Sequence, residues 1–153
     1  MKNIILILIG LFLTSSCKIS SPTFKNIGQW QISKISGTEV IISNTAYFYN
    51  PNNIDGIKVN GVSLEIQSEG KRLGVVSTNG NGIMIPKLSD FQIPLSITVN
   101  LQDLLGNLSD IINVITGKTI NLRCIGDVKV GYSVLNKSIR VDQTVPINIK
   151  DIK

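Results

Sequence analysis

Residues 91–99 read Phe-Gln-Ile-Pro-Leu-Ser-Ile-Thr-Val, and this stretch decides the fold class. Every second side chain is apolar, a period of two that turns one face of a β-strand to a core and the other to water. Pro94 has no amide hydrogen to donate to a neighbouring strand. The strand is therefore expected at a sheet edge, or bonded on one side only at that point.

Similar patterns continue on both sides of this strand. Residues 39–50 (EVIISNTAYFYN) are rich in β-branched and aromatic residues and predict a long central strand. Apolar alternation predicts further strands through four sets of residues: Ile57, Val59, Val62, Leu64 and Ile66; Ile120, Leu122, Cys124 and Val128; Val128, Val130, Tyr132 and Val134; and Ile139, Val141, Val145, Ile147 and Ile149. Many short strands at this spacing predict an all-β sandwich.

Glycines mark the interruptions between and within these strands. Glu69-Gly70 predicts a tight hairpin turn, and residues 79–82 (NGNG) predict a second turn. Gly61 shifts the apolar alternation of its strand by one residue, which predicts a β-bulge.

One segment, at about residues 101–116, has the spacing of an amphipathic helix. Asn100 is a favourable N-cap, Asp103 complements the helix dipole, and Gly117 fits the C-terminal stop. The apolar stripe is expected to close one end of the sandwich, and the alternative is a helix that gates a ligand or binds a partner. The stripe contains Leu101, Leu104, Leu105, Leu108, Ile111, Ile112 and Ile115.

The first 16 residues are typical of a secretion signal. Lys2 precedes an apolar run at residues 4–13, which is shorter than the roughly 20 residues that a membrane-spanning helix needs. The end of the run, Leu13-Thr-Ser-Ser-Cys17, resembles a bacterial lipoprotein lipobox, although Leu13 lies four residues before the cysteine rather than three. The sequence thus predicts a signal peptide at 1–16 and lipid attachment at Cys17. The alternative is an ordinary signal peptide that releases a soluble protein.

Residues 17–26 are polar, contain Pro22, and predict a short tether before a domain at 27–150. No Asp follows Cys17, which by resemblance to known sorting rules favours the outer membrane, facing the periplasm.

Composition narrows the function classes. The chain has 153 residues, a net charge of +5 and no histidine. Its basic residues form no stripe with accessible aromatics, so nucleic-acid binding is not expected. Cys124 is expected to be a buried strand cysteine, with a Cys17–Cys124 bridge possible only if Cys17 carries no lipid.

Residues 46–64 carry a family resemblance. They contain Asn50-Pro51-Asn52 after the central strand, and Gly74, Ser77 and Ile85-Pro86 follow. This ordered set resembles the late-embryogenesis-abundant type 2 family, also called the WHy domain, including its bacterial lipoprotein members. The resemblance covers about residues 27–150 and implies an immunoglobulin- or fibronectin-III-like sandwich of about seven strands with one helix. It also implies a role in tolerance of desiccation and related stress, without a reaction. The asparagines are expected to shape the turn, since they can bond nearby backbone groups.

No motif predicts catalysis, a cofactor or a metal. The absence of histidine excludes Ser-His-Asp chemistry and the commonest zinc ligands. Ser68-Glu-Gly-Lys71 matches a Ser-x-x-Lys string but lies across a predicted hairpin, and Asp103 and Asp110 are expected on a solvated helix face.

The sequence therefore favours a non-enzymatic, lipid-anchored envelope protein with a protective role toward protein clients. The alternatives are a carrier or sensor of an apolar small molecule or lipid, with the helix as a lid, and an enzyme with carboxylates brought together from distant strands.

Overall fold

The structure, a computed structural model, describes residues 19–105 and 119–148, which form two antiparallel sheets packed into a β-sandwich. The elements in chain order are β1 (Thr23–Ile27), β2 (Gln31–Ser36), β3 (Glu39–Tyr49), β4 (Lys58–Ser68), β5 (Lys71–Met84), β6 (Asp90–Asn100), α1 (Leu101–Leu105), β7 (Thr119–Tyr132) and β8 (Leu135–Asn148). The predicted all-β sandwich is confirmed.

The first sheet is organised around β3. Strand β6 pairs along the whole of β3, from Glu39 opposite Asn100 to Tyr49 opposite Asp90, while β1 and β2 share its other edge. The central position of β3 confirms the prediction for residues 39–50. Strand β6 pairs with β3 alone, so Pro94 lies on an edge strand as predicted.

The second sheet has the order β5-β4-β7-β8. Ser68 pairs with Lys71 across the predicted hairpin, and both turn residues have positive φ, 49° at Glu69 and 81° at Gly70. Two successive residues of positive φ match the right-handed twist of the strands they join. The hairpin prediction at Glu69-Gly70 is confirmed.

The core lies between the sheets and is built from the alternating apolar residues of both. Phe48 of β3 stacks on Phe91 of β6 with ring centroids 5.2 Å apart. The two layers are also joined at an edge, where the Ile27 amide of β1 donates to the Gln143 Oε1 of β8 at 2.7 Å. Val59, Leu64, Ile66, Leu122, Cys124, Val128 and Val141 are fully buried in the second sheet.

A bulge interrupts β4, as Gly61 predicts. Val59 lies opposite Ile83 and Gly61 lies opposite Asn79, so residues 80–82 face the single residue Asn60. The register against β7 shifts at the same place, but there Asn60 of β4 is the extra residue, because Val59 lies opposite Val130 and Gly61 lies opposite Lys129. The prediction of a turn at 79–82 was wrong, because this glycine-rich stretch remains within β5 and forms the long side of the bulge. Glycine tolerates both conformations, and the pairing of β4 with β5 on both sides of the stretch selected the bulge.

The strand prediction that ended at Val134 also differs from the structure. Strand β7 ends at Tyr132, and Ser133 and Val134 form the turn to β8, with Ser133 at φ 53°. Val134 is therefore 87% exposed rather than part of the buried face. Ile149, predicted in the last strand, lies outside the described residues.

The folded body begins earlier than residue 27. Residues 23–27, of which 23–26 were expected in the tether, form β1 and pair with β3.

Helix α1 begins where predicted, with the Asn100 Oδ1 accepting the Gln102 amide at 2.9 Å as an N-cap. The rest of the predicted helix to residue 116, with Asp110, lies outside the described residues. No helix among the described residues is long and apolar enough to cross a membrane.

Candidate functional site

The Asn50-Pro51-Asn52 corner lies at the end of β3 that is remote from α1. Pro51 is exposed, whereas Asn50 is 0% and Asn52 8% exposed. The residue before a proline is held in extended geometry, so Asn50 continues the direction of β3 while Pro51 fixes the turn. The end of the sandwich that contains this motif is called the corner end below.

Asn50 satisfies its buried amide entirely with protein groups. Its Nδ2 donates to the Pro86 carbonyl at 2.9 Å, and its Oδ1 accepts the Asn52 amide at 3.1 Å and the Asn52 Nδ2 at 2.8 Å. The backbone amide of Asn50 donates to the Ser89 carbonyl at 2.9 Å. A buried side-chain amide without partners would be costly, so these contacts join β3 to the 86–89 loop.

Asn52 extends this network to the beginning of the described chain. Its Oδ1 accepts the Ser20 amide and its Nδ2 donates to the Ser20 carbonyl, both at 2.9 Å. Its carbonyl accepts the Leu88 amide at 3.0 Å. The corner thus binds the N-terminal segment on one side and the 86–89 loop on the other. The polar groups of both asparagines contact protein, which agrees with a turn-forming role for the motif.

The chain enters the fold at the corner end. Ile19, Ser20 and Pro22 line a narrow apolar cleft with Tyr132 and Leu135 of the β7–β8 hairpin. Cys17, the predicted lipid attachment site, lies outside the described residues together with the predicted signal peptide. Cys17 precedes Ile19 by two residues in the sequence, and two residues of extended chain span at most about 7 Å.

The corner end carries most of the large apolar side chains that the described residues expose. Only Ile35, on β2, is elsewhere; the others are Ile83, Met84, Leu88, Tyr132, Val134 and Leu135. The register places them together, because Lys58 pairs with Met84 on one side and with Gly131 on the other. Sequence reasoning missed this group. The adjacent apolar pair Val134-Leu135, which breaks the period of two, was a signal that could have located the hairpin tip.

Lysines surround these apolar residues. Lys58 and Lys137 form no ion pair within the described residues, whereas Lys87 lies 3.2 Å from the Asp55 carboxylate and Lys25 lies 2.7 Å from that of Asp90. The carboxylates at this end are therefore paired, and positive charge remains in excess.

Cys124 lies in the middle of β7 and is fully buried. Desolvation, together with the nearby Asp142 carboxylate, raises the pKa of its thiol to about 12. The thiol is therefore protonated and unreactive at neutral pH. Strand geometry separates Cys124 from Val130, which lines the same cleft as Ile19, by about 20 Å. The alternative of a Cys17–Cys124 bridge involves Cys17, which lies outside the described residues.

The remaining sequence candidates are occupied by structural contacts. Ser68 and Lys71 flank the β4–β5 hairpin, and the Lys71 Nζ lies 2.6 Å from the Asp103 carboxylate at the start of α1. Among the described residues, no group of three His, Cys, Asp or Glu side chains has the arrangement of a metal site.

Open depressions lie on the outside of the sheets. One of about 390 Å³ follows Asn44, Tyr47 and Pro94, and one of about 450 Å³ follows the bulge at Asn60 and Gly61. A third, of about 370 Å³, lies at the corner between Ile19, Asn52 and Tyr132. The apolar cleft beneath the N-terminal segment holds only about 10 Å³.

Comparison with known proteins gives a family match and structural likenesses. The sequence profile of a family described as late embryogenesis abundant protein (LEA_2) matches residues 45–145. The solution structure of an Arabidopsis thaliana protein is 12% identical, with a TM-score of 0.67, over 90% of this chain and 88% of that one. The crystal structure of a protein from Archaeoglobus fulgidus is 12% identical, with a TM-score of 0.56, over 82% of this chain and 97% of that one. At these identities the likeness concerns the fold. No curated protein matches the sequence significantly.

Proposed function

Because the chain belongs to the late embryogenesis abundant protein family, we propose that it is a non-enzymatic, lipid-anchored envelope protein that protects other proteins or membranes during desiccation and related stress. The observation that carries this proposal is the family match over residues 45–145, which includes the Asn50-Pro51-Asn52 corner and strands of both sheets. A stress-related role fits the family, and the protective action toward protein clients is the proposed refinement. Within the family we place the protein among the WHy-type bacterial lipoproteins.

The N-terminal sequence supports the proposed anchor. Leu13-Thr-Ser-Ser-Cys17 resembles a lipobox, and Cys17 comes shortly before Ser20, which the corner binds. A single acyl chain binds a membrane reversibly, while two or more give stable attachment. We place the anchored protein in the outer membrane, facing the periplasm.

The chemistry of the described side chains supports a role without catalysis. The chain has no histidine, and the carboxylates of Asp103, Asp127 and Asp142 are each within 3.2 Å of a lysine or arginine nitrogen. A general acid or base needs a proton-exchanging group beside an open substrate position, whereas these carboxylates are exposed ion-pair partners.

The protective role is tested by drying or heating a client enzyme together with the purified protein. We expect less client aggregation, measured by light scattering and recovered activity, than with an unrelated β-sandwich of equal mass. Equal protection by the control sandwich would refute the protective role, because any folded protein would then suffice.

The anchor is tested by intact mass spectrometry of the protein extracted from membranes, beside a Cys17→Ser variant. The expected result is a chain that begins at Cys17 and carries a diacylglyceryl modification, which the variant lacks. An unmodified chain would refute the lipid anchor and leave the protective role to be judged by the aggregation assay.

A further inference from the structure

We propose that the corner end of the sandwich docks on an anionic lipid bilayer, with the Val134–Leu135 tip among the headgroups and Lys58 and Lys137 facing lipid phosphates. This proposal deepens the proposed function and rests on its lipid anchor at Cys17. It specifies which face of the folded domain lies on the membrane, which the anchor alone does not determine.

The length of the chain before the fold brings the corner end to the bilayer. Asn52 holds both the amide and the carbonyl of Ser20 at 2.9 Å, so the ordered structure continues to this residue. Cys17 is only three residues upstream of Ser20, and that chain spans at most about 11 Å. A longer, polar tether would let the domain rotate freely. This short connection instead keeps the corner end at the level of the headgroups.

The side chains at the corner end suit that position. Val134 is 87%, Met84 62% and Leu135 51% exposed, and they share this end with Tyr132, which is 37% exposed. Exposed apolar residues that cluster at one place, rather than scattering over the surface, mark an interaction site. Aliphatic side chains with a tyrosine are typical of segments that lie at a membrane interface.

The charges at this end complement an anionic surface. Lys58 is in the middle of the end, between Met84 and Gly131, and Lys137 of β8 follows the tip. The nearby carboxylates of Asp55 and Asp90 are paired with Lys87 and Lys25. Lysines close to an anionic membrane each contribute favourably to binding, and the attraction is reduced by salt. An apolar protein partner would need neither lysine.

The test uses the processed protein extracted from membranes and reconstituted in vesicles of phosphatidylethanolamine and phosphatidylglycerol. A Val134→Trp variant reports on the tip, and Thr38→Trp, an exposed turn position beside α1, is the matched control at the opposite end. Trp30 is buried and gives a constant background. Lipids brominated in the upper part of the acyl chain quench only a tryptophan that reaches them.

The expected result is quenching of Val134→Trp about twofold or more stronger than that of Thr38→Trp. Equal quenching at the two positions would overturn the proposal. A concentration-dependent blue shift of Val134→Trp without quenching by brominated lipid would also overturn it, since it would show a second copy of the chain on this surface.

A charge variant separates electrostatic attraction from simple proximity. Replacing Lys58 and Lys137 by Gln, in the Val134→Trp background, should shift the docked population toward the undocked state by about fivefold per lysine at low salt. The control Lys34→Gln, on exposed β2, should leave the quenching unchanged. Quenching that is equal in the lysine pair variant and the control would refute the role of the two lysines.

Mass spectrometry of the same sample distinguishes failure of the lipid anchor from failure of docking by the corner end. A lipidated chain whose tip is not quenched would overturn docking and leave the anchor intact. A chain without lipid would refute the anchor, and quenching after addition of the vesicles would still decide whether the corner end binds them.

Discussion

Asn50 and Asn52 show how two residues can hold together segments that are distant in sequence. Asn50 reaches the Pro86 carbonyl and Asn52 reaches Ser20, while the two side chains bond each other at 2.8 Å. The local role of the motif as a turn follows from the geometry around Pro51. Its second role, joining the N-terminal segment to the 86–89 loop, depends on partners that the motif itself does not identify.

Replacing Asn50 by Ala should destabilise the protein by about 3 kcal/mol, because buried groups of Asn52 and Pro86 would lose their partners. Chemical denaturation monitored by circular dichroism measures this change. Asn53→Ala, at the exposed neighbouring position, should stay within about 0.5 kcal/mol of wild type. A small loss for Asn50→Ala would contradict the structural importance of the corner.

Gly126 is a second residue for which glycine is required, both by its own φ of 156° and by its neighbours. A Cβ at this position of β7 would lie 2.1 Å from the Ser63 carbonyl oxygen of β4. We expect Gly126→Ala to cost about 3 kcal/mol, since the clash is with backbone and not with a flexible side chain.

The control for this substitution is Gly70→Ala. A Cβ there meets nothing within 4 Å, and only the positive φ of 81° is unfavourable, so the cost should be about 1 kcal/mol. Equal costs for the two variants, measured by urea unfolding, would show that β4 and β7 can separate to accept the methyl group.

At the scale of elements, strand pairing selects among conformations that the local sequence permits. Residues 79–82 could form a turn, but their flanks pair with β4 and keep them in β5 as a bulge.

The β7–β8 hairpin has its own cross-strand contacts, and the strongest by geometry is a two-point ion pair. The Arg123 Nε lies 2.8 Å from the Asp142 Oδ1, and its Nη2 lies 2.7 Å from the Oδ2.

This pair predicts a loss of stability in acid. The hydrogen bond from Arg123, with a smaller contribution from the charges of Arg123 and Arg140, lowers the pKa of Asp142 although desolvation opposes it. A carboxyl group with a lowered pKa in the folded state stabilises the fold above its unfolded pKa, near 3.8. That contribution is lost as pH falls below this value through the folded pKa. In the Asp142→Asn variant, the free energy of unfolding, measured by urea unfolding, should therefore fall less steeply as the pH is lowered into this range.

The double variant Arg123→Gln with Asp142→Asn provides the control. At neutral pH its loss in free energy of unfolding should not exceed the sum of the losses of the two single variants, because both single variants remove the same interaction. If the free energy of unfolding of Asp142→Asn fell as steeply in acid as that of the wild type, the role of this pair would be contradicted.

At the scale of the whole molecule, the two ends of the sandwich differ in character. The end beside α1 has the Glu69-Gly70 hairpin and the Lys71–Asp103 ion pair, whereas the corner end has the exposed apolar residues and Lys58. This polarity arises because β4, β5, β7 and β8 run antiparallel and bring the β7–β8 turn beside the beginning of β4. The corner end is therefore the surface on which the proposed membrane contact depends.

The reactivity of Cys124 reports on opening of the whole molecule. Because burial raises the pKa of its thiol to about 12, we expect a thiol reagent to react slowly at pH 8 and in proportion to the unfolded fraction in urea. The raised pKa stabilises the fold below the unfolded pKa, near 9.0, and this contribution is lost as pH rises from there toward 12. Val134→Cys, exposed at the tip, should react at once. Rapid reaction of Cys124 in the folded protein would contradict its burial.

The sequence by itself determined the features that depend on neighbouring residues. Alternation identified β6, β-branched and aromatic content identified β3, Glu69-Gly70 identified its hairpin, Gly61 identified the bulge, and Pro94 placed its strand at an edge. These inferences succeeded because side-chain direction, turn geometry and hydrogen-bond capacity are local properties of the chain.

Tertiary structure alone decided the features that depend on which distant segments meet. Asn52 binds segments outside the strands that the fold brings together, whereas the conformation of residues 79–82 and the exposure of Val134 follow from strand pairing and register. A pattern of apolar residues shows that a face is buried, but it does not show where a strand stops or which loops share an end. Those outcomes require long-range contacts, and for this protein they assemble the corner end.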